Sequence, residues 1–293
     1  MSAIRKLVIP VAGFGTRLLP ATKAQPKEML PLVDKPIIQY IVEEAVRSGI
    51  TDIILVTGKN KRAIEDHFDR DHDLERWLES GGKHAHAERI RRIAQMANFI
   101  YVRQKGPYGN GTPVLNAKPV IGNEPFAVVW GDDIWDCPRV PQVKQLIEVY
   151  EKYTDPVVTL AKTDDAGTHK YGIIAGEEVE PGVYQISNIT EKPGPKRAKS
   201  RIASLGGFIF TPDIFDALER TPKGRDGELW LVDAVSRLRQ TRPLYGKVID
   251  GTYHDPGSKL GWLQANVEFG LQDKEVGKEF GRYLKKISTK RKS

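Results

Sequence analysis

At 293 residues the chain is long enough for one large domain or two small ones, and its 40% hydrophobic and 28% charged residues exclude a mainly disordered chain. The 45 Lys and Arg outnumber the 38 Asp and Glu by seven, but the tail 282–293 (RYLKKISTKRKS) holds six of the basic residues and no acidic one. The near-neutral remainder argues against a folded face built for nucleic acid or an anionic membrane. No apolar run approaches the roughly 20 residues of a membrane span. The single cysteine, Cys137, excludes an internal disulfide framework and a cysteine-based zinc cluster, and the expected address is the cytoplasm.

Along the first half, short apolar runs at 6–11, 52–57, 98–102, 126–130 and 157–161 read as strands. Between the first two, residues 35–48 put Ile38, Ile41, Val42 and Ala45 on one helical face, and Gly49 ends the helix. Residues 61–79 read as a more polar surface helix, and His84-Ala85-His86 as a solvated loop. Continuous apolar strands separated by helices imply a mostly parallel sheet covered on both faces, a doubly wound, Rossmann-like α/β fold. From about residue 165 the strands are separated by turn residues instead, which predicts a β-rich antiparallel or mixed extension of that sheet. Helical pattern returns at 228–239 and after Ser258. Residues 192–199 (KPGPKRAK) read as a mobile, exposed loop.

The first strand leads into Ala12-Gly13-Phe14-Gly15-Thr16-Arg17. Glycines at the carboxyl end of a parallel strand let backbone N–H groups approach an anion, and open α/β sheets bind ligands there. Leu18 stands where the dinucleotide fingerprint needs a third glycine, and no Lys-Ser/Thr pair makes this a Walker A loop. Arg17 is placed to fork onto phosphate oxygens. Two glycines alone would favour a tight strand-to-helix turn.

Pro26-Lys27-Glu28-Met29-Leu30-Pro31 and Lys35-Pro36 extend the loop into G-x-G-T-R-L-x-P-x-T-K-x-x-P-K-x-x-x-P-x-x-x-K-P. This pattern resembles the sugar-nucleotide pyrophosphorylases, and residues 18–50 resemble their bacterial-type UTP–glucose-1-phosphate uridylyltransferase branch. The resemblance spans almost the whole chain. It implies a single nucleotidyltransferase domain, with a nucleotide-binding half over 1–164, a sugar-phosphate-binding half over 165–260 and a C-terminal helix and basic tail over 261–293. It also implies synthesis of UDP-glucose and pyrophosphate from UTP and glucose 1-phosphate, assisted by Mg2+.

The roles implied fall on matching positions. Arg17, Lys27 and Lys192 are the catalytic cations; Ala12, Gly13, Gly15, Thr16, Glu28, Gln104 and Gly109 bind the nucleotide. Gln104 opens QKGPYGNGTPV, and its amide suits uracil because it can both donate and accept. Gly172, Glu191 and Lys192, in the Tyr171-Gly172 and Glu191-Lys192-Pro193 segments, bind the sugar phosphate. Asp132 in WGDD and Asp255 in HDPG are the metal ligands, since hard oxygens suit a divalent cation; alone, Gly131-Asp132-Asp133 serves equally as a turn or helix cap. Thr112-Pro113, Gly207 and Trp230 depart from the usual His-Ala, arginine and glutamine, and so bear on base and sugar choice. Homodimers or homotetramers are implied, with neither nucleic acid nor membrane as partner. Two rivals stay open: the same reaction with dTTP or another sugar 1-phosphate, and a non-catalytic sugar-nucleotide sensor.

Overall fold

The computed structural model describes residues 4–224 and 226–290. The first-half strands are β1 (Lys6–Pro10), β2 (Pro31–Leu32), β3 (Lys35–Pro36), β4 (Asp52–Thr57), β5 (Asn98–Arg103), β6 (Phe126–Val128), β7 (Ile134–Asp136) and β8 (Val157–Lys162). Those of the second half are β9 (Gly172–Glu180), β10 (Val183–Glu191), β11 (Ile202–Phe210), β12 (Tyr245–Val248) and β13 (Thr252–His254). Nine of them form one sheet in the order β5-β4-β1-β6-β11-β8-β12-β10-β9, while β2 pairs with β3 and β7 with β13.

The sheet changes character along its width. β5, β4, β1 and β6 are mutually parallel, with Leu7, Val8 and Ile9 of β1 fully buried between its two neighbours. A strand covered on both faces needs no polar alternation, which explains the continuous apolar runs. Leu7 and Ile9 face a core shared with Ile38, Ile41 and Val42 of the helix Ile37–Arg47, whereas Val8 faces a second core shared with Val114, Phe215 and Leu229. Beyond β6 the sheet turns mixed. β11 runs antiparallel to both β6 and β8, and β10 runs antiparallel to β9 and β12. The doubly wound parallel half with a mixed β-rich extension is therefore as the sequence implies. β11 comes from the second half of the chain yet lies between two strands of the first, so one sheet runs through both.

Some local expectations are corrected. Residues 61–79 form two helices, Arg62–Phe68 and His72–Ser80, because Asp71 stops to cap the second by accepting from Leu74 N at 2.9 Å. His84 and His86 are exposed, but on the first turn of the helix His84–Gln95 rather than in a loop. The loop after Glu191 is anchored: Pro193 and Gly194 are buried, and Gly194 N donates to Thr168 O. The helix expected at 228–239 begins only at Leu231, which leaves Glu228–Trp230 outside it, with Trp230 extended. Much of the basic tail lies on the exposed helix Gly277–Lys290, and residues 291–293 are outside the described part. Among the described residues no helix is long and apolar enough to cross a membrane.

Candidate active site

The turn after β1 is shaped by glycine where side chains would collide. Gly15 has φ +67°, and a Cβ there would press on Lys27 Cβ and Thr22 Cγ2, both at 3.2 Å. Thr22 Oγ1 holds the turn by donating to Gly15 O at 2.8 Å. Ala12, Gly13 and Thr16 line a cavity of about 310 Å³ with Lys59 and Lys61 across it. The Thr16 side of this loop is exposed, as an anion-binding loop must be.

Glu28 is not on that surface. It is fully buried and bound to the equally buried Lys61 at 2.8 Å. Burial pushes the Glu28 carboxyl above its ordinary pKa, while the Lys61 and Lys27 charges oppose the shift. Its position makes it a strut for Lys61 beneath the cavity.

The second loop of the nucleotide side follows β5. Gln104 is partly buried, with its backbone N–H donating to Thr57 O at 2.8 Å. Gly109 has φ +114°, and a Cβ there would lie 2.6 Å from Leu229 N. Leu229 N donates to Tyr108 O and Gly111 N donates to Leu229 O, each at 2.9 Å. Asn110 Oδ1 accepts from Leu231 N at 2.8 Å. The Glu228–Trp230 segment is thus zipped onto this loop. Thr112 and Pro113, expected at the base, are instead buried in the helix Gly111–Asn116.

At the carboxyl ends of β1 and β6 four charges meet. Lys27 Nζ bonds Asp132 Oδ2 at 2.5 Å, and Arg17 reaches Asp132 at 3.9 Å and Asp255 at 3.8 Å. Burial alone would lower the Lys27 pKa; the Asp132 and Glu28 charges outweigh it and hold the ammonium above its ordinary value. Asp132 follows β6 and Asp255 follows β13, so residues 123 positions apart are brought together. Glycine allows this, since a Cβ on Gly257 would stand 2.6 Å from Asp132 Oδ2 and 3.0 Å from Asp255 Oδ1. Among the described residues no three His, Cys, Asp or Glu side chains gather as a closed metal site. Two carboxylates converging over a bare Cα fit a divalent cation that takes its remaining oxygens from water and phosphate.

Beside them lies a cavity of about 220 Å³ opened by a bulge in β11. Ser204 pairs with Leu160 and Phe208 with Val158, so three residues of β11 oppose one of β8. Gln142 staples the bulge by donating to Gly206 O at 3.1 Å and Thr159 Oγ1 at 2.8 Å. Gly172 and Glu191 line the cavity as expected, and Gly172 has no Cβ to crowd Glu191 Oε2. Lys192 lies at its edge: its side chain is exposed and its Nζ is 3.5 Å from Glu191 Oε1, while Lys170 is the lysine in the lining.

The sequence reading missed Lys170, Trp130, Asp133 and Tyr253 in this lining. Asp133 was signalled by its place beside Asp132; Tyr253 had only its place two residues before Asp255. Tyr253 OH donates to Asp133 Oδ1 at 3.0 Å. Burial, with the Asp132 charge beside it, pushes the Asp133 carboxyl well above the usual carboxylate range. The two departures expected near the sugar site or its supporting helix do lie there, though neither lines the cavity. Gly207 adjoins Gly206 of the lining but faces Gln142 and Thr159, and Trp230 sits before the helix Leu231–Leu238 with its Nε1 donating to Asp226 Oδ1 at 3.3 Å.

Residues 6–269 match the model of the nucleotidyl transferase family, whose members generally use a divalent metal. A UTP–glucose-1-phosphate uridylyltransferase of Staphylococcus saprophyticus is 46% identical over 98% of this chain and 99% of its own. A UTP-bound UDP-glucose pyrophosphorylase (UGPase) from Acinetobacter baumannii superposes with a TM-score of 0.90 at 37% identity, over 96% of this chain and 98% of its own. A UDP-glucose pyrophosphorylase complexed with UDP-glucose gives 0.82 at 40% identity, over 92% and 100%. The glycine loop, the paired carboxylates and these likenesses over nearly the full length agree: the chain belongs to the nucleotidyl transferase family, among its UTP–glucose-1-phosphate uridylyltransferases.

Proposed function

We propose that the protein joins UTP and α-D-glucose 1-phosphate to give UDP-glucose and pyrophosphate. The observation that carries this reading is the meeting of Arg17, Lys27, Asp132 and Asp255 between the glycine loop and the β11 cavity. A phosphate oxygen of the sugar phosphate attacks the α-phosphorus of UTP. A P–O bond forms as the α–β anhydride bond breaks, and the bonding pair leaves with pyrophosphate. No protein nucleophile is needed, so positioning and charge neutralisation carry the catalysis.

In this reading Arg17 and Lys27 neutralise the departing β,γ-phosphates, and the N–H groups of Gly13, Gly15 and Thr16 hold the triphosphate. Ala12, Gln104 and Gly109 wall the nucleoside, and Glu28 acts through Lys61. Glu191, lying over Gly172, accepts from sugar hydroxyls, and Lys192 holds the incoming phosphate. Asp132 and Asp255 would hold a magnesium ion, whose charge offsets that of the phosphates. A homodimer or homotetramer in the cytoplasm completes the proposal; Leu260, Leu263 and Tyr283, each more than half exposed on the last two helices, support a subunit contact there.

The test is pyrophosphate release from UTP, dTTP, ATP, CTP or GTP with glucose 1-phosphate and magnesium. Release that is fastest with UTP and abolished by EDTA is expected. Faster release with dTTP would move the base preference, and no release with any nucleotide or hexose 1-phosphate would overturn the reading.

A further inference from the structure

Two polar atoms in the β11 cavity have no hydrogen-bond partner among the described residues. One is the indole Nε1 of Trp130, whose ring is held edge-on to Phe208 at a centroid distance of 6.2 Å. The other is Asp133 Oδ2, the oxygen left free when Oδ1 accepts from Tyr253. Both come to the same point above the bulge. A Cβ on Gly206 would overlap Trp130 Cδ1 and Asp133 Oδ2, and would stand 2.7 Å from Trp130 Nε1.

Unlike Gly207, whose φ is +130°, Gly206 does not occupy the left-handed region. Its backbone does not require glycine; the space taken by the two side chains does. Its carbonyl is meanwhile fixed from behind by Gln142. The result is an N–H donor and a carboxyl oxygen side by side on a rigid wall. A hydroxyl meets both, because it accepts from the indole N–H and can pair with a carboxyl oxygen as donor or as acceptor.

We infer that Trp130 is a specificity-determining residue for the sugar: its indole N–H donates to one hydroxyl of the hexosyl group, which also pairs with Asp133 Oδ2, both side chains being seated in the space that a Cβ on Gly206 would fill. This rests on the uridylyl transfer proposed above and names the element that reads its sugar. Asp132 and Asp255 handle phosphate charge, which every hexose 1-phosphate shares. The Trp130 niche handles hydroxyl position, in which hexoses differ.

The test is Trp130→Phe, which keeps an aromatic ring and removes the donor, alongside Gly206→Ala, which keeps the indole and fills its place. Both should raise KM for glucose 1-phosphate about tenfold, the size of one lost hydrogen bond, with KM for UTP unchanged. The UDP-glucose Kd should weaken by a similar factor, a readout free of turnover. A series of monodeoxy glucose 1-phosphates then identifies the hydroxyl. Wild type should discriminate against one analogue that Trp130→Phe handles as well as it handles glucose 1-phosphate. Folded variants with unchanged KM and Kd, and with the deoxy pattern of wild type, would overturn the niche while leaving the reaction standing. A wild-type protein inactive with every hexose 1-phosphate would overturn the reaction and the niche together.

Discussion

The two walls of the site are built on different principles. The proposed nucleotide wall is made of backbone: a glycine turn after β1 and a second glycine loop after β5, with Arg17 and Lys27 added. The sugar wall is made of side chains, gathered from β6, β9, β10, β11 and β13 or their ends around a bulge. Backbone amides serve any triphosphate, and a turn that exposes them needs a run of particular residues in a row. Hydroxyls at particular places need particular side chains, which the sheet can draw from anywhere in the chain. One wall can therefore be read as a continuous motif; of the other, the Tyr171-Gly172 and Glu191-Lys192-Pro193 segments are legible, and Trp130, Asp133 and Tyr253 join them only once the strands are ordered.

The charge cluster between the walls should give the largest effect. Lys27 is the cation most tightly engaged, at 2.5 Å from Asp132. Lys27→Ala should lower kcat by roughly 100- to 1,000-fold, the range for losing a group that meets developing charge. Far-ultraviolet circular dichroism should stay that of wild type. A variant with near-normal kcat would remove Lys27 from the chemistry and move the phosphate role to Arg17.

The sugar wall should break by a different route, through its scaffold. Gly207 holds φ +130° with Gln142 Nε2 and Thr159 Oγ1 where a Cβ would go. Gly207→Ala must strain the backbone or displace the Gln142 staple, at a cost of roughly 2–4 kcal/mol. Thermal unfolding should show it as a drop of roughly 3–7 °C in midpoint. An unshifted midpoint would mean that the bulge relaxes freely and that its shape does not depend on glycine.

The same staple has a pH-sensitive support. Glu44, on the helix Ile37–Arg47, accepts from Val143 N at 3.0 Å and so caps the helix Gln142–Tyr153 from outside. Burial pushes its carboxyl up to about 7, although the hydrogen bond from Val143 opposes the shift. A folded pKa above the unfolded value means that the native state holds the extra proton between about 4.5 and 7. Stability from this group is therefore present below that window and lost as pH rises through it. Glu44→Gln keeps an acceptor and removes the titration. Relative to wild type it should gain at most roughly 3 kcal/mol between pH 4.5 and 8, as measured by denaturant unfolding at both. Parallel pH profiles for the two proteins would show that Glu44 does not titrate in that range.

The sequence revealed the fold class and the glycine turn after β1 for the same physical reason. Strands such as β1, buried on both faces, must be apolar throughout, and Gly15 must be glycine beside Thr22 and Lys27. It did not reveal the β11 bulge, because Leu205-Gly206-Gly207 reads as an ordinary strand with two weak positions. Nor could it separate the two glycines, one making room for Trp130 and the other holding a positive φ against Gln142. Thr112 was misplaced because a loop and the first turn of a buried helix share the same glycine-rich lead-in.

The smallest effect is expected at Trp230, and it sharpens the contrast between the walls. A tryptophan at the edge of a sugar site invites a stacking role, but Trp230 is 37% exposed and its Nε1 is turned to Asp226. The residues that reach the cavity from this segment are Leu231, Val232 and Val235. What residue 230 shares with the site is backbone: its neighbours Leu229 and Leu231 are hydrogen-bonded to the Gly109 loop through main-chain atoms that survive any substitution at 230. Trp230→Gln should therefore change KM for glucose 1-phosphate by less than about twofold and stability by less than about 1 kcal/mol. Set beside a tenfold shift for Trp130→Phe, that would place sugar reading in the β6 end and the bulge, with the 228–231 segment acting as a brace between the walls. A large KM shift at Trp230 alone would reverse the assignment and make the segment zipped to the nucleotide loop the part that reads the sugar.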